Sequence, residues 1–386
     1  MKVVVAVDSF KGSIGSLAAG EAAREGIIKA CPDATVVVCP LADGGEGTTD
    51  ALTAGLGGVK QKVTVTDPLG RKIVAEYGIL PGRCTAVAEM AAAAGLTLVP
   101  SEQRDVMRAT TYGVGEMILD AIKKGCRRFI VGIGGSATND GGAGMLQALG
   151  FGLLDKTGKN IPFGAAGLKE LAKIDTKNVI PELKECSFKI ACDVENPLCG
   201  ENGCSAVFAP QKGANPADIP LMDKWLSDFA ELSEEKFAKA DRNFPGAGAA
   251  GGLGFAFLAY TDAVLESGVK IVLEETRLKE HICDADLVIT GEGRIDGQTV
   301  MGKAPVGVAE TAKIFNKPVV ALAGCVGKGA KACHEHGIDA VFPVLQRVTS
   351  LAEAMDENNA RQNITDTTEE IMRLICAGVT NVPKDG

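Results

Sequence analysis

The stretch from Val131 to Gly144 constrains the fold most, because glycines at 132, 134, 135, 141, 142 and 144 surround Ser136, Thr138, Asn139 and Asp140. Such a segment is not expected in a packed core. Glycine admits positive φ and close backbone approach, so N–H groups around Gly134, Gly135 and Ser136 can converge on phosphate oxygens, with the dipole of a following helix adding to them. Two more glycine-acid loops repeat the theme, Asp43-Gly44-Gly45-Glu46-Gly47 and Gly291-Glu292-Gly293-Arg294-Ile295-Asp296-Gly297. Phosphate and a divalent metal are the shared target they suggest.

The glycine loop follows the β-branched run Phe129 to Ile133, and other such runs lie at Val3–Val7, Thr35–Val38, Phe188–Ala191, Leu287–Thr290, Val319–Ala323 and Ala340–Val344. Short apolar runs without alternation are expected as buried parallel strands. Helical patterns separate them. One spans Asp105 to Lys124 and stops at Gly125; a second spans Leu221 to Ala240 and places Trp225 on a core stripe. With 46% hydrophobic and only 4% aromatic residues and 48 glycines, the 386-residue chain reads as α/β, with helices packed closely on sheets.

That length exceeds one ordinary core, so two α/β domains are expected. Strand-helix alternation is regular at both chain ends and irregular between them. The expected layout is a Rossmann-like domain with a parallel sheet, discontinuous in sequence, from residues 1–65 and 283–386. A second α/β domain, residues 66–282, is inserted, with the Asp67-Pro68-Leu69-Gly70 turn as a crossing point and the active site in the interdomain cleft.

A net charge of −9 without a basic stripe argues against nucleic acid as a partner. The Val3 to Val7 run, cut short by Asp8, is too brief for a signal peptide, and Gly246 to Tyr260 falls short of the roughly 20 residues that span a bilayer. No membrane role is expected. Twelve cysteines without a repeated close pair fit reduced thiols in a cytoplasm. A homo-oligomer is compatible with the sequence.

Phosphoryl transfer needs cations for the moving group, a metal bridging phosphate oxygens, and a carboxylate to orient the attacking hydroxyl. Lys11 stands in a strand-to-helix turn, suited to a phosphate or a substrate carboxylate. Asp43, Glu46, Asp193, Glu292 and Asp296 are candidate metal ligands or bases; Ser9, Ser13, Ser136, Thr138 and Asn139 are candidate donors. Arg294 offers a planar fork for a carboxylate. Asp8 is either a helix cap or a site residue. With His only at 281, 334 and 336, an aspartate is the better base.

Six segments in order, Asp8 to Ser13, Pro40 to Thr48, Gly132 to Gly144, Asp193 to Leu198, Gly246 to Gly254 and Thr290 to Gly302, resemble the bacterial type I glycerate kinases nearly end to end. The resemblance implies ATP- and Mg-dependent phosphorylation of the small molecule D-glycerate at its 2-hydroxyl, in two α/β domains around a cleft. On that footing Arg294 and Lys11, with Ser9 and Asp8, are expected to bind glycerate. Gly134, Gly135, Ser136, Thr138, Asn139, Gly44, Gly45 and Ser13 are expected at the nucleotide phosphates. Asp43, Glu46 and Glu292 are expected to hold Mg; Asp193 is the leading base, with Asp296 next and Lys11 assisting.

Two rivals stand beside this reading. Gly132 to Ala137 fits the dinucleotide form G-x-G-x-x-A with Asp155 downstream, which suits an NAD(P)-dependent sugar-acid oxidoreductase. A sugar-acid-binding sensor would use the same residues for capture alone. The first leaves the acid-glycine loops unexplained; the second leaves several carboxylates facing an anion without a purpose.

Overall fold

The computed structural model describes residues 1–82 and 84–380. Its contacts divide the chain into two units. The first comprises Met1–Asp43, Asp50–Gly55 and the chain from Val269 on; the second comprises Gly44–Thr49 and Leu56–Gly268.

In the first unit five parallel strands run in the order Ala340–Pro343, Val319–Val326, Leu287–Ile295, Lys2–Val7, Thr35–Val38. Val3, Val4 and Val5 are wholly buried, so both sheet faces are covered, as their unbroken apolar run requires. Helix Ser16–Ala30 contributes Ala19, Ala23 and Ile27 to this core, and helix Glu357–Thr380 contributes Ile364 and Met372. The two helices pack so closely at Gly26 that a Cβ there would lie 2.2 Å from the Thr365 carbonyl oxygen. Only glycine fits that crossing.

The second unit holds a six-stranded mixed sheet, ordered Asp262–Glu266, Ser187–Ala191, Arg128–Gly132, Thr85–Glu89, Lys72–Leu80, Val59–Thr66. The first four are parallel; the last two pair antiparallel. Its core carries most of the aromatic rings, among them Phe129 stacked on Phe188 at 4.7 Å. A small antiparallel pair, Gly152–Leu154 with Lys173–Asp175, completes it.

All seven sequence-predicted runs are strands, and all seven lie in parallel pairings. The hairpin Val59–Thr66 and Lys72–Leu80 escaped the pattern because its exposed face carries Lys60, Lys62 and Glu76, the dilution expected at a sheet edge. The Asp67-Pro68-Leu69-Gly70 turn, read above as a crossing point, closes this hairpin inside the second unit.

Helix starts differ from the periodicity. The helix expected from Asp105 begins at Tyr112, because Asp105 to Thr110 form turns and the Thr111 N–H and hydroxyl bond to Asp140. The helix expected over Leu221 to Ala240 is Ile219–Glu234, with Trp225 packed against the core as expected. Among the described residues no helix is long and apolar enough to cross a membrane.

Candidate active site

In an open parallel sheet the carboxyl edge presents loops whose backbone is free of the ladder, and ligands collect there. In the first unit, strand Lys2–Val7 delivers Asp8 to Lys11 to that edge and strand Leu287–Ile295 delivers Glu292 to Arg294. The Ser16 hydroxyl ties the edge together, donating to the Val7 carbonyl and accepting from the Leu41 N–H, both at 2.7 Å. These loops line a cavity of about 370 Å³.

One wall of this cavity is charged. Lys11 Nζ donates to Asp43 Oδ2 at 2.7 Å; Lys303 Nζ stands 3.5 Å from Glu292 Oε2, while Thr299 donates to Glu292 Oε1 at 2.7 Å. Asp8 accepts from the Ser9 N–H at 2.6 Å. Burial, reinforced by the neighbouring Asp43 charge, pushes the Asp8 carboxyl up to about 7, and burial likewise raises Glu292. Carboxylates so buried lose hydration that the nearby ammonium groups do not fully replace. Another part of the lining is apolar, formed by Val344, Leu345, Leu351, Ala354 and Met355.

The second unit has its own cavity, about 410 Å³, at the carboxyl edge of strands Arg128–Gly132 and Ser187–Ala191. Gly134, Gly135 and Ser136 line it together with Gly44, Gly45, Asp193 and Lys212. Lys212, 2% exposed, donates to Ser136 Oγ at 2.7 Å and to the Thr138 carbonyl at 2.6 Å. Burial pulls this lysine down to about 8.

The loop beyond Ser136 turns inward. Asp140 accepts from Thr111 N–H and Oγ1 and from the N–H groups of Gly142 and Gly144, so it fixes the loop it belongs to. A left-handed turn at Ala250, Gly251 and Gly252 presses on the same loop, where a Cβ on Gly251 would meet the Thr138 carbonyl oxygen at 2.1 Å.

The chain matches the glycerate kinase family over residues 3–376. The chain belongs to that family. It is 47% identical over 375 residues to a glycerate kinase of Haemophilus influenzae, covering 97% of this chain and 99% of the relative. It is 47% identical over 381 residues to a glycerate 2-kinase of Escherichia coli, covering 99% and 100%. The crystal structure of a chain assigned as glycerate kinase 2 from Salmonella typhimurium LT2 superposes with a TM-score of 0.91 at 44% identity, covering 99% of this chain and 100% of that one. The resemblance read from six segments therefore holds, and the chain is an enzyme of the glycerate kinase family with an α/β fold.

The expected site residues of this family member divide between the two cavities. Asp8, Ser9, Lys11, Ser13, Asp43, Glu292 and Arg294 line the first; Gly44, Gly45, Gly134, Gly135, Ser136 and Asp193 line the second. Ser13, expected with the glycine loop, thus stands with Lys11. Thr138 and Asn139 are fully buried and line neither cavity, and Asn139 donates to Ser205 Oγ at 2.8 Å. Asp296 lies off the first cavity, held by Arg294 Nε at 2.9 Å and by the Gln298 N–H, and these bonds lower its pKa. Glu46 is exposed and lines neither.

The helix expected to lend its dipole is Ala143–Ala148, and its first N–H groups are taken by Asp140 and Thr111 rather than offered to a ligand. Asp155 is bound into its own turn, accepting from the Thr157 and Lys159 N–H groups, not placed to receive a ribose. Among the described residues no group of three or more His, Cys, Asp or Glu side chains is arranged to hold a metal alone. Lys212 went unnoticed in the sequence, where Pro210-Gln211-Lys212-Gly213 carries no pattern.

Proposed function

We propose that this chain transfers the γ-phosphate of ATP, with Mg, to the 2-hydroxyl of D-glycerate, giving 2-phosphoglycerate. The Escherichia coli relative carries that name at 47% identity over nearly its whole length, which supports the regiochemistry. The observation that carries the site assignment is the contrast between the two linings.

The first cavity joins an apolar wall to ammonium, guanidinium and carboxylate groups, the mixture a nucleoside triphosphate requires. Leu345, Leu351 and Met355 suit a flat base; Lys11, Lys303 and Arg294 suit phosphate oxygens. Asp43 and Glu292 would hold Mg, which keeps several waters and takes its other ligands from phosphate, so two carboxylates suffice. Bound there, the ion would neutralise charge developing on the transferred group.

The second cavity suits a small hydroxy acid. Its backbone amides and Lys212 match a carboxylate, and Asp193 is the base that orients and deprotonates the hydroxyl. This assignment exchanges the ligands expected from the sequence, which set glycerate beside Arg294 and Lys11. The exchange follows from size: three carbons, one of them the carboxylate, leave the apolar wall without a role. That no disulfide joins the cysteines of the described residues supports a reducing cytoplasm.

Phosphorus NMR of a mixture of enzyme, ATP, Mg and D-glycerate tests the proposal. The expected result is a 2-phosphoglycerate resonance growing in step with ADP. A 3-phosphoglycerate resonance overturns the regiochemistry, and glycerate binding without ADP formation favours the capture-only reading.

A further inference from the structure

Lys212 is costly where it stands. A buried ammonium without a counter-ion loses several kcal/mol of hydration, and proteins rarely retain one unless something repays the loss. Among the described residues no carboxylate is within ion-pair distance of it; its hydrogen-bond partners are a serine hydroxyl and a backbone carbonyl, both neutral, and the Cys204 thiol and the buried Asp140 carboxylate act on it only through space, Asp140 being bonded to Thr111, Gly142 and Gly144. An ammonium has three donors. Two are used by the protein, and the side chain borders the second cavity.

Ser136 carries the argument further. Its oxygen accepts from Lys212, so its own proton points elsewhere, and the residue lines the same cavity. Lysine and serine thus form a short donor chain whose positive end is buried and whose two residues both line the cavity. The scaffold behind them is rigid. Gly213, in the left-handed region at φ +93°, is pressed so closely on the Arg104 backbone that a Cβ would lie 2.7 Å from its carbonyl oxygen.

We propose that Lys212, acting directly and through the Ser136 hydroxyl, is the cation that binds the ligand's anionic group in the second cavity. Given the function proposed above, that group is the carboxylate of glycerate. The anion would be the direct ion-pair partner that Lys212 lacks among the described residues. The lysine also fixes the backbone from Ser136 to Thr138, so that both the amides and the charge are in place before the ligand arrives.

The test compares the full-length enzyme with Lys212→Met, close in length but uncharged, and with Ser136→Ala. Lys212→Met is expected to raise KM for glycerate at least 30-fold with KM for ATP within threefold, and Ser136→Ala to raise it about tenfold. In the wild type kcat/KM for glycerate falls as pH rises through about 8, because the free lysine then loses the proton that binds the anion; Lys212→Met lacks that limb. Calorimetric titration with glycerate and with inorganic phosphate supplies a readout free of turnover, and a melting curve shows whether each variant is folded. Equal glycerate affinity in folded wild type and Lys212→Met overturns the role of Lys212 and leaves the glycerate assignment standing. Phosphate binding lost in Lys212→Met, with no glycerate binding by the wild type, keeps the anion site and overturns its ligand. Should Lys212→Met not fold, an unchanged glycerate KM in Ser136→Ala overturns the proposal.

Discussion

The cavity of the first unit and that of the second handle charge in opposite ways. In the first, Lys11, Lys303 and Arg294 each face a carboxylate, at 2.7 Å from Asp43, 3.5 Å from Glu292 and 2.9 Å from Asp296. In the second, the buried Lys212 donates to neutral oxygens and, among the described residues, has no carboxylate within ion-pair distance. Paired side chains are partly exposed and exchange partners at small cost, as a site must when phosphates and a hydrated cation enter together. A buried cation set among backbone groups exchanges nothing; it waits for one anion of the right size. The difference separates a site that rearranges around a large polyanion from one preorganised for a small acid.

The sharpest way to break this contrast is Asp193→Asn. Asp193 lines the second cavity and its Oδ1 accepts from the Gly268 N–H at 3.2 Å. Asparagine keeps an acceptor for that bond and removes the base. A fall of about 10²–10⁴ in kcat is expected, with glycerate affinity and melting temperature near wild type. Rapid-quench turnover decides it. A kcat within tenfold of wild type makes Asp193 a loop-holding residue and removes the acid-base half of the second cavity.

Asp8→Asn probes the first cavity through stability rather than rate. In the ligand-free enzyme the folded Asp8 titrates near 7, against an ordinary value of 3.8. The native state therefore holds a proton that the unfolded chain releases across that interval, and stability declines as pH rises from about 4 to 7, with the loss complete above it. The substituted asparagine mimics the protonated acid and still accepts from Ser9. Urea melts should show wild type and variant alike near pH 4, with the variant more stable by about 2–4 kcal/mol at pH 8. A gap that does not change with pH means that burial and the Asp43 charge do not raise Asp8.

How much of this could be read in the sequence depends on where each signal resides. Buried parallel strands announce themselves, because both faces must be apolar, and all seven such runs are strands. Acid-glycine loops at strand ends were equally visible, and their leading residues do line the two cavities. What residue types do not reveal is direction. Thr138, Asn139 and Asp140 look like donors and acceptors for a ligand, but positive φ at Gly135, Gly141 and Gly142 turns the chain so that these side chains are buried. Lys212 is one lysine among 40 basic residues, and only its burial distinguishes it. The apolar wall is assembled from Val344 to Met355, far in sequence from every glycine loop, so no motif marks it.

That wall supplies the smallest expected effect and the most direct separation of the two cavities. Leu351 is 79% exposed, so changing it costs the ligand-free fold little. A base packed against it would bury much of that side chain, and burial of a leucine is worth about 1.5–3 kcal/mol when complete. Leu351→Asp forfeits part of that contribution and places a negative charge near the phosphates. KM for ATP should rise about tenfold, equivalent to ~1.4 kcal/mol, while KM for glycerate stays within twofold. Initial-rate kinetics with each substrate varied in turn distinguish the cases. A rise confined to glycerate would exchange the ligands of the two cavities and return the hydroxy acid to Lys11 and Arg294.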